Sequence, residues 1–350
     1  GTAGSGARGG AAGSSGAGGS AGTGGGAPGV RIVGRSVTGT QGPRFSWPGV
    51  SIVARFTGTQ ASIQLADGNN GNRFAVIVDG SLRSTIGTTQ GQSTYPLVSG
   101  LSNGMHDLVV WRLTEAYYNP TEFVGLTGFS SGGALVAPPP PRDRRIELIG
   151  DSISAGYGIE GTPPCSGSAT NENNYYAYGS VAARALSADL VTIAWSGIGM
   201  WRNYNEAGPS ADAMPARYDR TIGADAASAA NAWDFSKYQP HIAVINLSSN
   251  DYSTRGDPGQ PYVTAYTTFV RHVRSVYPNA YILCLIQWNG SATNINSVVS
   301  TIRNGGDTRI SSFDINVNAG ADGCEGHPNV AKAQAMGDRL ATEIRRILGW

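Results

Sequence analysis

Ile146-Glu147-Leu148-Ile149-Gly150-Asp151-Ser152-Ile153-Ser154-Ala155-Gly156 is the stretch from which the rest of the chain can be read. Its first four residues form a mainly apolar run too short for a helix, of the kind found in strands buried on both faces. The run halts at Gly150 and gives way at once to polar and turn-forming residues. Three further runs share this character: Val191–Ala194, Ile242–Leu247 and Tyr281–Ile286. Between and after them lie helical patterns at Tyr176–Leu186, Tyr262–Val276 and Val330–Leu348. In the second, Val263, Tyr266, Val270 and Val273 fall on one stripe; in the third, Ala333, Met336, Leu340, Ile344 and Ile347 do. Strands alternating with helices predict an α/β fold with a doubly wound parallel sheet over residues 145–350. In such sheets ligands bind beyond the carboxyl ends of the strands, so chemistry is sought in the residues that follow each run.

Upstream the character changes. Residues 30–137 carry short alternating or apolar runs at Val50–Phe56, Ala61–Leu65, Phe74–Val78, His106–Leu113 and Phe123–Phe129. Turn signals separate them, among them Asp67-Gly68-Asn69-Asn70, Asp79-Gly80 and Ser102-Asn103-Gly104. This pattern predicts a small β-sandwich of the jelly-roll kind. Residues 138–144, with Pro138 to Pro141 in a row, read as a stiff spacer between two domains. Residues 1–29 are nearly all Gly, Ala, Ser and Thr, which cannot bury enough apolar surface to offset ordering, and read as a flexible linker.

Composition narrows the class. Lys and Arg number 25 against 24 Asp and Glu in 350 residues, a net charge of +1, which excludes a strongly basic nucleic-acid binder. Charged residues are only 14% and glycines number 50, a balance that favours short strands joined by turns and is common in secreted proteins. No apolar stretch of about 18 residues is present, so no membrane span is expected. Neither a His-Glu-x-x-His nor a paired-cysteine motif occurs, and no Gly-rich nucleotide loop follows a strand; no metal and no cofactor is expected.

The strand ends are polar and specific. After the first run stands Gly150-Asp151-Ser152, after the second Trp195-Ser196-Gly197-Ile198-Gly199, after the third Ser248-Ser249-Asn250-Asp251, and before the last helix Asp322-Gly323-Cys324-Glu325-Gly326-His327-Pro328. Each fragment alone is an ordinary turn or helix cap, but a serine, glycine, asparagine and histidine at successive tips of one sheet suit acyl transfer. A serine hydroxyl becomes a nucleophile when a base removes its proton. His327 is the expected base, since an ordinary imidazole titrates near 6.5. The developing oxyanion needs fixed donors, for which the amides of Ser152 and Gly199 and the side chain of Asn250 are the candidates. Glu325 is the expected orienting acid for His327, with Asp322 in reserve. His106, His241 and His272 lie in a β run, at a strand start and on a helix surface, and are expected to be structural.

Together, Gly150-Asp151-Ser152, Gly199, Asn250-Asp251 and His327-Pro328 resemble the Ser-Gly-Asn-His hydrolase superfamily. Gly150 to Gly161 and Ala194-Trp195-Ser196-Gly197-Ile198-Gly199, with the β-sandwich that precedes them, resemble more closely carbohydrate esterase family 2, deacetylases that act on xylan and related polysaccharides. The resemblance spans roughly Val30 to Trp350. It implies Ser152 as nucleophile, His327 as base, and Gly199 and Asn250 as partners of the Ser152 amide in the oxyanion hole. The superfamily's Asp three residues before its histidine is here Cys324, and the family's Asp two residues before is here Glu325, so a Ser-His dyad steadied by a main-chain carbonyl stands as the alternative. Aromatic residues around the family's cleft imply sugar contacts for Tyr204 and Trp288.

The expected function is therefore deacetylation of an acetylated polysaccharide through an acyl-enzyme, by a monomer. A broader short-chain acyl esterase and a carbohydrate-binding protein without catalysis are the alternatives. If Ser152 and His327 meet, the loops carrying Cys165 and Cys324 are neighbours, which predicts a Cys165–Cys324 disulfide and leaves Cys284, inside an apolar strand, as a buried free thiol. Such a bridge persists in oxidising compartments, so an extracellular location is expected, with the linker as a tether.

Overall fold

The computed structural model describes residue 1 and residues 29–67, 71–318 and 322–350. The linker assigned to 1–29 lies, except for its two end residues, outside the described residues, as does most of the Asp67–Asn70 turn.

Two antiparallel sheets build the N-terminal part. One runs in the order Val30–Val33, Ser51–Gly58, Gly104–Arg112, Arg73–Val78, Ser81–Gly87, with Leu135–Val136 pairing onto Ser51–Gly58; the other runs Val37–Thr38, Pro43–Phe45, Thr121–Thr127, Ala61–Asp67, Thr94–Val98. Alternate residues turn inward, so that Ile52, Ala54, Phe56, Ile63, Leu65, Phe74, Val76, Leu108, Val110 and Phe123 fill the space between the sheets. On the other face of the first sheet Ala75, Ile77 and Leu113 are buried too, beside Trp111 and Tyr175. That second burial explains why these strands read as apolar runs rather than a clean alternation. The all-β expectation for this region holds at the level of a β-sandwich.

The C-terminal part is a five-stranded parallel sheet in the order Ala188–Ala194, Arg144–Gly150, Ile242–Asn246, Tyr281–Ile286, Ile310–Asp314. Ile149, Ile193, Ile245 and Cys284 face one side, with buried residues of the Gln260–Val276 and Ala292–Asn304 helices. Leu148, Leu190, Val244 and Leu283 face the other, with those of Tyr178–Ala185 and Val330–Leu348. The sheet is thus covered on both faces, as a doubly wound fold requires. Gly150 lies opposite Ala194 on one neighbour and Asn246 on the other, which aligns three strand ends along one edge.

The two parts are joined by buried polar contacts. Arg35, fully buried, donates to the carbonyl of Tyr218, which sends its hydroxyl to Glu147 in the central parallel strand. Arg31 pairs with Asp189 at 2.8 Å, and the indole of Trp47 donates to the carbonyl of Arg220. Near the open edge Arg73 donates to the carbonyls of Ala169, Thr170 and Glu172 and pairs with Glu160, bracing the loop that carries Cys165.

Candidate active site

The residue after the central strand begins the site. Asp151 caps the short helical turn Ser152–Ala155, accepting the N–H of Ile153 at 3.1 Å. Burial pushes its carboxyl up to about 7, against the hydrogen bonds from Ile153 and Ser249. The hydroxyl of Ser152 lies 2.8 Å from Nε2 of His327. The second ring nitrogen, Nδ1, is 3.2 Å from the main-chain oxygen of Cys324. A carbonyl oxygen only accepts, so the proton sits on Nδ1 and the lone pair of Nε2 faces the serine. Burial holds the imidazole below its usual 6.5, although the carbonyls of Cys324 and Glu325 and the charges of Glu325 and Asp322 pull the other way.

Neither carboxylate expected to orient His327 does so. Glu325 adopts a left-handed conformation (φ 52°), and its carboxylate accepts the hydroxyl of Tyr157 at 2.7 Å. That hydrogen bond keeps the Glu325 carboxyl below its ordinary range. Asp322 pairs with Lys332 at 2.6 Å. The expectation of the Glu325 carboxylate as hydrogen-bonding partner is thus corrected: the Cys324 carbonyl holds the ring at Nδ1, and the Glu325 side chain acts on it through its charge.

The donor set also differs from the sequence reading. Among the described residues the N–H groups of Ser152 and Gly197 have no protein acceptor. The amide nitrogen of Asn250 donates to the carbonyl of Ile198 at 2.7 Å and stands 3.5 Å from Asp151. Gly199 is the correction: its N–H donates to the side chain of Asn203 at 3.0 Å, and it is absent from the cleft lining. A Cβ there would come within 1.9 Å of the Arg202 carbonyl oxygen, so glycine at 199 answers a close approach of the chain to itself. Gly197, two residues earlier, lines the cleft instead. Asp251 fixes the loop that follows Gly199, accepting the N–H groups of Met200, Trp201 and Arg202 at 2.8 to 2.9 Å.

Ser152 and His327 open into a cleft of about 570 Å³ that Asn250, Ser249, Gln287, Tyr204 and Trp288 also line. Tyr204 and Trp288 are 58% and 41% exposed, large apolar faces left at the rim. Cys165 and Cys324 are joined by a disulfide with their Cα atoms 4.9 Å apart, and Cys284 is a buried free thiol. A Cβ on Gly161 would meet the Cys324 sulfur at 2.1 Å, so this glycine lets the loop close over the bridge. His106 and His272 bond to Asp79 and Asp219, and His241 accepts the N–H of Arg145, all outside the cleft. Among the described residues no group of three His, Cys, Asp or Glu is placed to hold a metal ion, and no helix is long and apolar enough to cross a membrane.

A serine hydroxyl on the lone pair of an imidazole, in a cleft at the tips of a parallel sheet that is also lined by residues with unpartnered main-chain N–H groups, defines a serine acyl hydrolase. Residues 148–347 match the GDSL-like lipase/acylhydrolase family, and residues 32–139 match the carbohydrate esterase 2 N-terminal family. The fold is similar to that of a family two carbohydrate esterase from Clostridium thermocellum, solved with cellohexaose: TM-score 0.86, 37% identity, 92% of this chain and 100% of that one. The chain is 37% identical over 334 residues to the cellulase/esterase CelE of Acetivibrio thermocellus, covering 92% of this chain but only 40% of CelE. It is 26% identical over 335 residues to an acetylxylan esterase/glucomannan deacetylase of Cellvibrio japonicus, covering 92% of this chain and 90% of that protein. The chain belongs to carbohydrate esterase family 2.

Proposed function

We propose that this chain is an extracellular, monomeric serine esterase that removes O-acetyl groups from polysaccharides such as acetylated xylan or glucomannan. The observation that carries the reading is the 2.8 Å contact between Ser152 and His327 on the floor of a cleft rimmed by Tyr204 and Trp288. His327 takes the hydroxyl proton at Nε2 as the Ser152 oxygen attacks the acetyl carbonyl. The carbonyl π electrons move to its oxygen, which faces the N–H groups of Ser152 and Gly197 and the amide of Asn250. Collapse breaks the bond to the sugar oxygen, which leaves with the proton held by His327. Water then attacks the acetyl-serine by the same steps, releasing acetate and restoring the hydroxyl.

The dyad reading rests on the Nδ1 to Cys324 carbonyl contact, which fixes the tautomer that a third acid would otherwise fix. The apolar faces of Tyr204 and Trp288 suit stacking on sugar rings, and the polar Ser249 and Gln287 beside Ser152 suit a short acyl group better than a fatty chain. The Cys165–Cys324 bridge supports a location outside the cytosol. The sandwich is read as jelly-roll-like, its two sheets drawing strands from interleaved parts of the chain. Acetate measured enzymatically after incubation with acetylated xylan and glucomannan tests the assignment: release from both supports it, and release only from small aryl esters would make this a general short-chain esterase.

A further inference from the structure

The sandwich domain sends one acidic side chain into the neighbourhood of the oxyanion donors. Glu115, fully buried, follows the Gly104–Arg112 strand and begins the turn at Ala116–Tyr118. Its carboxylate accepts both the main-chain N–H and the hydroxyl of Ser196, 81 residues away in the other domain. Arg112, also fully buried, fixes the main chain of this segment from below, donating to the carbonyls of Thr114, Glu115 and Asn119.

Ser196 immediately precedes Gly197, which lines the cleft and whose N–H has no protein acceptor among the described residues. Gly197 adopts a left-handed conformation (φ 78°), which glycine enters and leaves at little cost. A glycine in a loop does not hold its own amide in one direction, so the aim of that N–H must come from its neighbours. On one side the Gly197 carbonyl accepts the N–H of Tyr204 at 2.8 Å. On the other, the Glu115 carboxylate grips Ser196 by main chain and side chain together.

We propose that Glu115 is a positioning residue that clamps Ser196 so that the Gly197 N–H points at the carbonyl oxygen of the bound ester, making the sandwich domain part of the catalytic apparatus. The proposal rests on the hydrolase reading above. Burial and the nearby charge of Asp151 push the Glu115 carboxyl up to about 8. The titratable groups that face it are Asp151, Glu172, Tyr117, Tyr118 and Tyr157, while the charges of Arg112 and Arg73 act on the buried Glu172. A buried carboxyl kept here without a cation on its oxygens is costly for folding, which fits retention for the loop it holds.

The test compares wild type, Glu115→Ala and Glu115→Gln as full chains on an aryl acetate. Loss of a single oxyanion donor costs about 10²- to 10³-fold in kcat. Glu115→Ala should lose kcat on that scale with KM little changed, and Glu115→Gln, whose amide still accepts from the Ser196 N–H and donates to its hydroxyl, should recover most of it. A Glu115→Ala enzyme within a few-fold of wild type in kcat, or a loss confined to KM, overturns the proposal. If Glu115→Ala does not fold, Ser196→Ala decides: a fall in kcat at constant KM is expected, and an unchanged kcat overturns it. A wild-type chain without esterase activity would overturn the hydrolase reading itself, whereas an active wild type with an indifferent Glu115 removes only this inference.

Discussion

The imidazole of His327 rests its Nδ1 on the main-chain carbonyl of Cys324, 3.2 Å away, and Cys324 is tied through its sulfur to Cys165 in the loop that follows the nucleophile. One residue thereby orients the base and anchors its loop. A carbonyl gives the imidazolium less stabilisation than a carboxylate, because it carries only a partial charge. Glu325 and Asp322 supply the missing negative field from a distance.

From this arrangement Glu325→Ala should reduce kcat by a small factor, while His327→Ala should approach the roughly 10⁶-fold loss known for a catalytic histidine in a serine protease. Steady-state rates on an aryl acetate decide the point. Equal losses in the two variants would mean that Glu325 turns onto the ring when substrate binds.

The pH profile follows from the lowered imidazole. The base works when neutral, so kcat/KM should fall as pH drops through a midpoint below the ordinary 6.5. Glu325 raises that value, so Glu325→Ala should carry the midpoint lower still. A midpoint that moves upward in this variant would contradict the electrostatic role given to Glu325.

The carboxyl of Glu115 makes a separate prediction for stability. Its value is raised from 4.5 to about 8 in the folded chain, so its contribution is fully present below the unfolded value and is lost as pH rises through the folded one. Melting temperatures measured from pH 4.5 to 9 should therefore fall more steeply in wild type than in Glu115→Gln.

The disulfide closes 159 residues of chain, for which chain-entropy reasoning gives roughly 5 kcal/mol at most. Cys165→Ser should lower Tm and also kcat, since the His327 loop loses its anchor. Thiol counting on the denatured, non-reduced chain should find one group, Cys284; three would contradict the bridge.

Much of this site was legible because its chemistry lies where a parallel sheet ends. The Val330–Leu348 helix matches its sequence stripe, and Tyr281–Ile286 has the bounds its apolar run predicted. The Ser81–Gly87 strand was not legible, since nearly all its residues are exposed and no apolar period marks it. Nor were the Ala292–Asn304 helix and the edge strand Ile310–Asp314 singled out. Gly197 and Gly199 sit two residues apart in one motif, and only the packing of Arg202 and Asp251 around the second distinguishes them. The turn of Glu325 away from His327 depends on its left-handed backbone and on Tyr157, 168 residues distant. Glu115 had no local signal at all, because its partner lies in the other domain.

The exposed aromatic faces at the rim predict a split between substrates. Stacking contacts of this kind are worth about 1 kcal/mol, roughly a fivefold change in affinity. Tyr204→Ala and Trp288→Ala should raise KM for acetylated oligosaccharides by about that factor, and much less for an aryl acetate. Equal effects on both substrates would remove these residues from sugar binding.

The central claim is that the Ser152 hydroxyl, activated by His327, carries the acyl group. Acetate release from acetylated xylan by the full chain and by Ser152→Ala, with the fold of the variant checked by its melting temperature, tests it most directly. The account predicts release by the wild type and a loss of several orders of magnitude in a variant that melts normally. Near-normal release by Ser152→Ala would contradict it.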